Sequence, residues 1–134
     1  MKPVLLPTVR YPRTWFFTGL ALALLVTIAC LVPGRDLPAL GISDKLEHAV
    51  AYLVLAFWFA SVMPHWDYLF LMLALLALGG GIEIAQGLMG LGREADLKDV
   101  LADVVGIIAG VGLALTPAAR WVGVLEYLLA RRRR

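Results

Sequence analysis

The sequence predicts an all-α fold, an integral membrane bundle of four transmembrane helices with a short C-terminal interfacial helix. Three observations predict it. Of 134 residues, 61% are hydrophobic and 16% charged, with a mean hydropathy of +0.85; a soluble domain is about half apolar and about a quarter charged. The apolar residues fall into runs near the ~20 residues that a helix needs to cross a bilayer. Basic residues crowd both ends of the chain, with Lys2, Arg10 and Arg13 at one and Arg120 and four terminal arginines at the other. A chain of this length has room for one domain, residues 1–134, and none for an added soluble catalytic domain.

The first helix spans about 14–33, an uninterrupted apolar run ended by Pro33-Gly34. A signal-peptide reading, with Thr27-Ile28-Ala29-Cys30 as a processing site, fits less well. The run is longer than a typical h-region, Thr stands three residues before the cysteine, and cleavage would leave an odd number of spans. A single cysteine excludes an internal disulfide and a Cys-based zinc cluster, so Cys30 is expected as a small buried residue. The second helix spans about 45–63, capped by Ser43 or Asp44 and stopped before Pro64. Phe57, Trp58 and Phe59 on it suit lipid or the far interface. Trp66 and Tyr68 suit the next interface.

The third helix, about 68–89, is plain Leu/Ala until Gly79-Gly80-Gly81. In water each glycine weakens a helix by roughly 1 kcal/mol; in a membrane glycines more often admit a neighbouring backbone. The fourth helix, about 97–116, carries Ala102, Gly106, Gly110 and Ala114 at intervals of four, a small-residue packing ridge. Thr116-Pro117 reads as a cap followed by a first-turn proline. Beyond it, about 117–130 has Trp121, Leu125, Leu128 and Leu129 on one side and is expected along the interface.

Against this hydrocarbon, residues 79–110 carry an unusual density of ionisable groups. Such groups are costly within a bilayer and mark function by default. Glu83 and Gln86 share a face of the third helix. Asp96, Asp99, Asp103, Gly106 and Gly110 form one stripe on the fourth. Lys45, His48 and Tyr52 share a face of the second. With four spans, eight basic residues lie on the side of the termini and four (Arg35, Lys45, Arg93, Lys98) on the other. The positive-inside rule then puts both termini in the cytoplasm. Every polar group just named consequently collects near the outer face.

Two chemistries compete for this cluster. In one, the charges satisfy each other: Lys45 or Arg93 pairs with Asp44, Asp96 or Asp99, Glu83 is neutral or bonded to Gln86 or His48, and Tyr52 bonds across to the third or fourth helix. In the other, they line an outward-facing pocket for a polar head group. Arg93 and Lys45 suit a phosphate, pyrophosphate or carboxylate, while the carboxylates and Gln86 suit sugar hydroxyls. An intramembrane enzyme is a third reading, with Glu83 and Asp99 as acid and base and His48 as a further catalytic candidate. No HExxH, GxSxG or P-loop pattern supports a named reaction. One histidine among scattered carboxylates is a weak zinc pattern, so no metal and no cofactor is expected. A coupled transporter fits poorly, because the polar groups stand at one face only. The terminal arginines suit anionic inner-leaflet lipid and not nucleic acid. Glycine ridges serve intra- and intermolecular packing equally, leaving the oligomeric state open.

The residues so placed resemble the VanZ-like family of small bacterial membrane proteins. The resemblance rests on Asp44-Lys45 with His48 and Tyr52 opening the second helix and on Glu83-x-x-Gln86 ending the third. Arg93-x-x-Asp96-x-x-Asp99 then leads into the fourth, with Gly106 and Gly110 after it. It covers roughly Asp44 to Gly110. Where family members often have Asn before the first of those glycines, this chain has Asp103, which ranks Asp103 below Asp99 as a site candidate. The resemblance implies a cell-envelope protein of the bacterial cytoplasmic membrane, associated with susceptibility to the glycopeptide antibiotic teicoplanin. The partners it implies are membrane lipids and a lipid-linked cell-wall precursor or surface glycan, bound or modified through Asp44, Lys45, His48, Tyr52, Glu83, Gln86, Arg93, Asp96, Asp99 and Asp103.

Overall fold

The computed structural model describes residues 9–32, 43–89 and 96–132. These form five α-helices: α1 (Pro12–Leu31), α2 (Asp44–Ala60), α3 (Tyr68–Met89), α4 (Leu97–Ala114) and α5 (Trp121–Arg131). Single 3-10 turns at His65–Asp67 and Pro117–Arg120 precede α3 and α5, and no strand occurs among the described residues.

The helix ends follow local chemistry. Pro12 begins α1 two residues earlier than expected, its fixed φ suiting the first turn. Ser43 caps α2, its side chain accepting from the Leu46 N–H. α2 ends three residues before the predicted Met63, and the Ser61 hydroxyl folds back onto the Phe57 carbonyl at 2.7 Å. α3 runs without a break through Gly79, Gly80 and Gly81, so these glycines do not weaken the helix visibly. Asp96 caps α4. α4 gives out at Ala114, and Thr116 caps the following turn by accepting from the Ala118 N–H.

Cross-helix bonds set the directions. The start of α2 meets the start of α4 through Lys45 and Asp96, and the end of α1 meets the end of α3 through Gln86 and Cys30. The end of α2 meets the start of α3, where the Tyr68 hydroxyl donates to the Ala60 carbonyl at 2.8 Å. α1 and α3 therefore run one way, α2 and α4 the other. Arg10, Arg13, Arg120, Arg131 and Arg132 sit at one end; Asp44, Lys45, His48, Glu83, Asp96 and Asp99 sit at the other.

Two helical stretches, Pro12–Leu31 and His65–Met89, are long and apolar enough to cross a membrane by themselves. Leu97–Ala114 passes the same test only together with Pro117–Arg131, and only if this pair, bent by 74° at the break between them, is taken as one span. α2, at 17 residues, is about 26 Å long, a little less than the ~30 Å hydrocarbon core. Its first turns are polar, and it is surrounded by α1, α3 and α4.

The tightest contact is α2 on α4, and glycines make it possible. A Cβ at Gly106 would strike the Ala49 carbonyl oxygen, and one at Gly110 the Leu53 carbonyl oxygen. Lipid tails are as apolar as leucine, so such close backbone packing, and not expulsion of water, drives helix association in a bilayer. At the arginine end, Trp15, Trp58 and Trp121 form a cluster with ring centroids 5.0–5.7 Å apart. Each indole N–H is used: Trp15 donates to Glu126, Trp58 to the Trp15 carbonyl, and Trp121 to Ser61. Trp58 thus faces the bundle, not lipid. Val122 of α5 is buried, so α5 is fastened to the bundle while Leu128 and Leu129 remain exposed.

Candidate functional site

α2, α3 and α4 each contribute a polar face to the non-arginine end, and burial makes the faces one site. Tyr52, Asp103, His48, Glu83, Gln86 and Asp99 are all at most 6% exposed. Lys45 and Asp96 lie at its edge.

At the edge, the Lys45 ammonium reaches Asp96 Oδ2 at 3.1 Å and Asp99 Oδ1 at 3.3 Å, tying α2 to the first turn of α4. Asp96 is a junction of three helices. Its Oδ1 accepts from the Lys98 N–H at 2.8 Å, its Oδ2 holds Lys45, and its own N–H donates to Glu83 Oε2 at 2.8 Å. The Lys98 N–H, and then the Lys45 ammonium, hold the Asp96 carboxyl below the usual range. Glu83 of α3, bonded through Oε2 to the Asp96 N–H at the start of α4, also meets the favourable end of that helix dipole.

Deeper, His48 Nδ1 lies 3.0 Å from Asp103 Oδ1, with both side chains sealed from solvent. Below them Tyr52 packs against Gly79, its hydroxyl 3.1 Å from where a Cβ would stand. The same absent Cβ would collide with Asp103 Oδ2, so Gly79 is what lets the Asp103 carboxylate and the Tyr52 hydroxyl approach α3. Among the described residues, three buried polar atoms in this layer find no hydrogen-bond partner: Tyr52 Oη, Glu83 Oε1 and Asp103 Oδ2. Buried polar atoms are nearly always paired, so three together mark this layer out.

Several expected partners differ. Gln86 does not bond Glu83; it donates to the Cys30 carbonyl at 2.8 Å, pinning α3 to the last turn of α1. Glu83 bonds the α4 backbone, not His48 or Gln86. Tyr52 is buried as expected, but its hydroxyl makes no hydrogen bond among the described residues. Asp103, ranked below Asp99 on sequence, is the one that holds the imidazole, while Asp99 faces Lys45. The signal for it was the three-four stripe that already contained Asp103. Arg93 lies outside the described residues. Asp44, His48 and Asp99 each offer a ligand atom, all within 4.8 Å of one another.

Chemically, an imidazole held by a buried carboxylate is the arrangement of a general base, and the Lys45 pairings are the arrangement of a fastener. Comparison with protein-family models, curated proteins and solved structures finds no match to this chain.

Proposed function

We propose that this is a VanZ-like protein of the bacterial cytoplasmic membrane that crosses it four times, with both termini inside. In this reading its outward-facing polar site binds the head group of a surface lipid, a glycan or a lipid-linked cell-wall precursor, and so affects teicoplanin susceptibility. The observation that carries the reading is the gathering of His48, Tyr52, Glu83, Asp99 and Asp103 in one buried layer, with three of its polar atoms unpartnered among the described residues. Groups that served only to fasten helices would be expected to satisfy each other completely. The alternating helix directions support four passes, because they bring both basic ends of the chain to the face opposite this layer. The positive-inside rule makes that face cytoplasmic. Arg93, three residues before Asp96, supplies the cation for a phosphate or carboxylate.

The Lys45 bridge to Asp96 and Asp99 favours a second reading, in which the charges only set helix register. Native mass spectrometry of the purified protein with co-purifying envelope lipids, wild type beside Arg93→Ala, separates the two. Head-group binding predicts an anionic or precursor lipid held by wild type and lost from a mutant that remains abundant and inserted. The same ordinary lipids on both proteins would overturn the binding reading.

A further inference from the structure

The arginine end carries more positive charge than its own carboxylates meet. Arg10, Arg13, Arg120, Arg131 and Arg132 stand there with Asp67 and Glu126. None of the five guanidiniums forms an ion pair among the described residues. Glu126 is already engaged, since its oxygens accept from the Arg10 and Tyr11 N–H groups and the Trp15 indole. Any basic edge of a membrane protein attracts anionic lipid diffusely. The surface between α1 and α5 offers more, one place for one lipid.

Between the start of α1 and the last turns of α5 lies an open groove of about 700 Å3, lined by Arg10, Tyr11, Thr14, Trp15, Glu126 and Leu129. That volume lies within the range of small-molecule sites, roughly 300–1,000 Å3. The groove is polar at its mouth and apolar along α1. At the mouth, the Arg10 guanidinium lies over the Tyr11 ring, 5.2 Å from its centroid. That contact steadies the side chain without using its N–H donors, whose planar fork matches a phosphate. Thr14 is exposed beside it, and Tyr11 and Trp15 are of the aromatic types that sit at head-group depth. Further along the same face of α1, at spacings of four, three and four from Thr14, come Thr18, Ala21 and Leu25, all exposed. Thr18 and Ala21 are small, which leaves a furrow where a hydrocarbon chain can lie. Leu129 separates the groove from a second hollow that carries Arg131 and Arg132.

We propose that the α1–α5 groove binds one anionic phospholipid, its phosphate on the Arg10 guanidinium and Thr14 hydroxyl and an acyl chain along Thr18, Ala21 and Leu25. Arg131 and Arg132, just across Leu129, favour a head group of net negative charge over a zwitterionic one. The seat requires α1 to lie in a membrane. It requires neither a ligand at the polar end nor a particular face in the cytoplasm.

The test is native mass spectrometry of the tag-free protein in detergent, titrated with phosphatidylglycerol or with phosphatidylcholine of the same chains. One phosphatidylglycerol per chain is expected, bound about tenfold more tightly than phosphatidylcholine. Arg10→Gln lowers that affinity by at least about tenfold, the weight of a hydrogen bond to a charged group. The side chain of Arg10 is exposed and its backbone N–H still donates to Glu126, so this variant keeps the fold. Arg120→Gln removes the same charge from the same end, but in a different hollow beside Pro117 and Trp121, and leaves the affinity nearly unchanged. Equal losses in Arg10→Gln and Arg120→Gln would reduce the binding to diffuse attraction and overturn the seat. Phosphatidylcholine held as tightly, or lipid displaced by free glycerol phosphate, would overturn it as well. Phosphatidylglycerol kept by Arg10→Gln but lost from Arg93→Ala would place the lipid at the polar end instead. Release of the chain from native membranes by alkaline carbonate would overturn the membrane reading, and the seat with it.

Discussion

Gly106 and Gly112 stand on the same helix, and alanine at each should act in opposite directions. An added Cβ at Gly106 would lie 3.0 Å from Ala49 C and from Leu53 N and would strike the Ala49 carbonyl oxygen, whereas ordinary contact begins at 3.4 Å. These are backbone atoms in the middle of α2 and cannot turn aside, so the helices must part by at least about 0.4 Å. A gap of roughly 0.5–1 Å forfeits a quarter to a half of the dispersion energy between the atoms concerned. The opening is also transmitted to the polar layer. Ala49 follows His48 and Gly106 is one turn beyond Asp103, so their bond at 3.0 Å stretches towards the limit of hydrogen bonding. Overpacking of this kind costs about 1–3 kcal/mol, against which alanine returns up to ~1 kcal/mol of helix propensity. At Gly112 nothing lies within 4 Å, so only the propensity gain remains. Reversible unfolding of the two variants in mixed micelles, followed by far-UV circular dichroism, should place Gly106→Ala below Gly112→Ala by about 1–3 kcal/mol. Equal stability, or the reverse order, would refute the backbone contact as the basis of the α2–α4 interface.

Other outcomes follow from the same geometry. Glu126 accepts from the Arg10 and Tyr11 N–H groups at 2.8 and 2.9 Å and from the Trp15 indole at 2.9 Å, taking the place of a side-chain cap on α1. Glu126→Gln should cost about 1–2 kcal/mol in thermal unfolding, a value discounted for the carboxylate's partial exposure. Partial burial pushes this carboxyl up, yet the three donors outweigh it and hold it below the usual range. Its contribution is therefore complete above the ordinary glutamate pKa of about 4.3 and is lost as pH falls through the lowered folded value. An acid-induced drop in melting temperature below about pH 4.3 should appear in wild type and shrink in Glu126→Gln; identical pH profiles would count against the clamp. Lys45→Met should lower stability more than Asp96→Asn, because it strips the partner from buried Asp99, whereas asparagine remains a good helix cap. The opposite ranking in thermal melts would show the bridge to be incidental. For the proposed orientation, a cysteine at Gly92 should react with an impermeant thiol reagent in intact cells and one at Ala130 should not; the converse would invert the topology.

Helix existence and order were legible because long apolar runs punctuated by Pro33, Pro64 and Pro117 leave few alternatives. A tight packing ridge on α4 was legible in the four-residue spacing of Ala102, Gly106, Gly110 and Ala114, but not that its partner is α2. The end of the bundle that holds the polar cluster followed from the alternation of helix directions. Pairings were not legible. Spacing says that His48 and Tyr52 share a face, but not that the opposite face is Asp103 and Gly79, because helix rotation is set by packing across the interface. Glu83 and Gln86 were predicted to look at one another or at α2. Instead each satisfies a backbone group at a neighbouring helix end, Asp96 N–H and Cys30 carbonyl, a role that no side-chain pattern announces. The tryptophan cluster was missed for a related reason. Trp15, Trp58 and Trp121 lie on three different helices and look like independent interfacial aromatics until the chain is folded.

That cluster has an optical consequence. Indoles whose centres are 5.0–5.7 Å apart with planes inclined at 55–79° form a chiral array whose excited states are shared among the rings. Their transitions should split into a paired positive and negative band in the circular dichroism spectrum. The fourth indole, Trp66, is exposed at the turn before α3 and stands apart from this array. The protein thus carries an intrinsic, label-free gauge of whether α1, α2 and α5 remain closed at the arginine end. A ligand or ion acting at the far polar end would move that signal only if the bundle responds as one body.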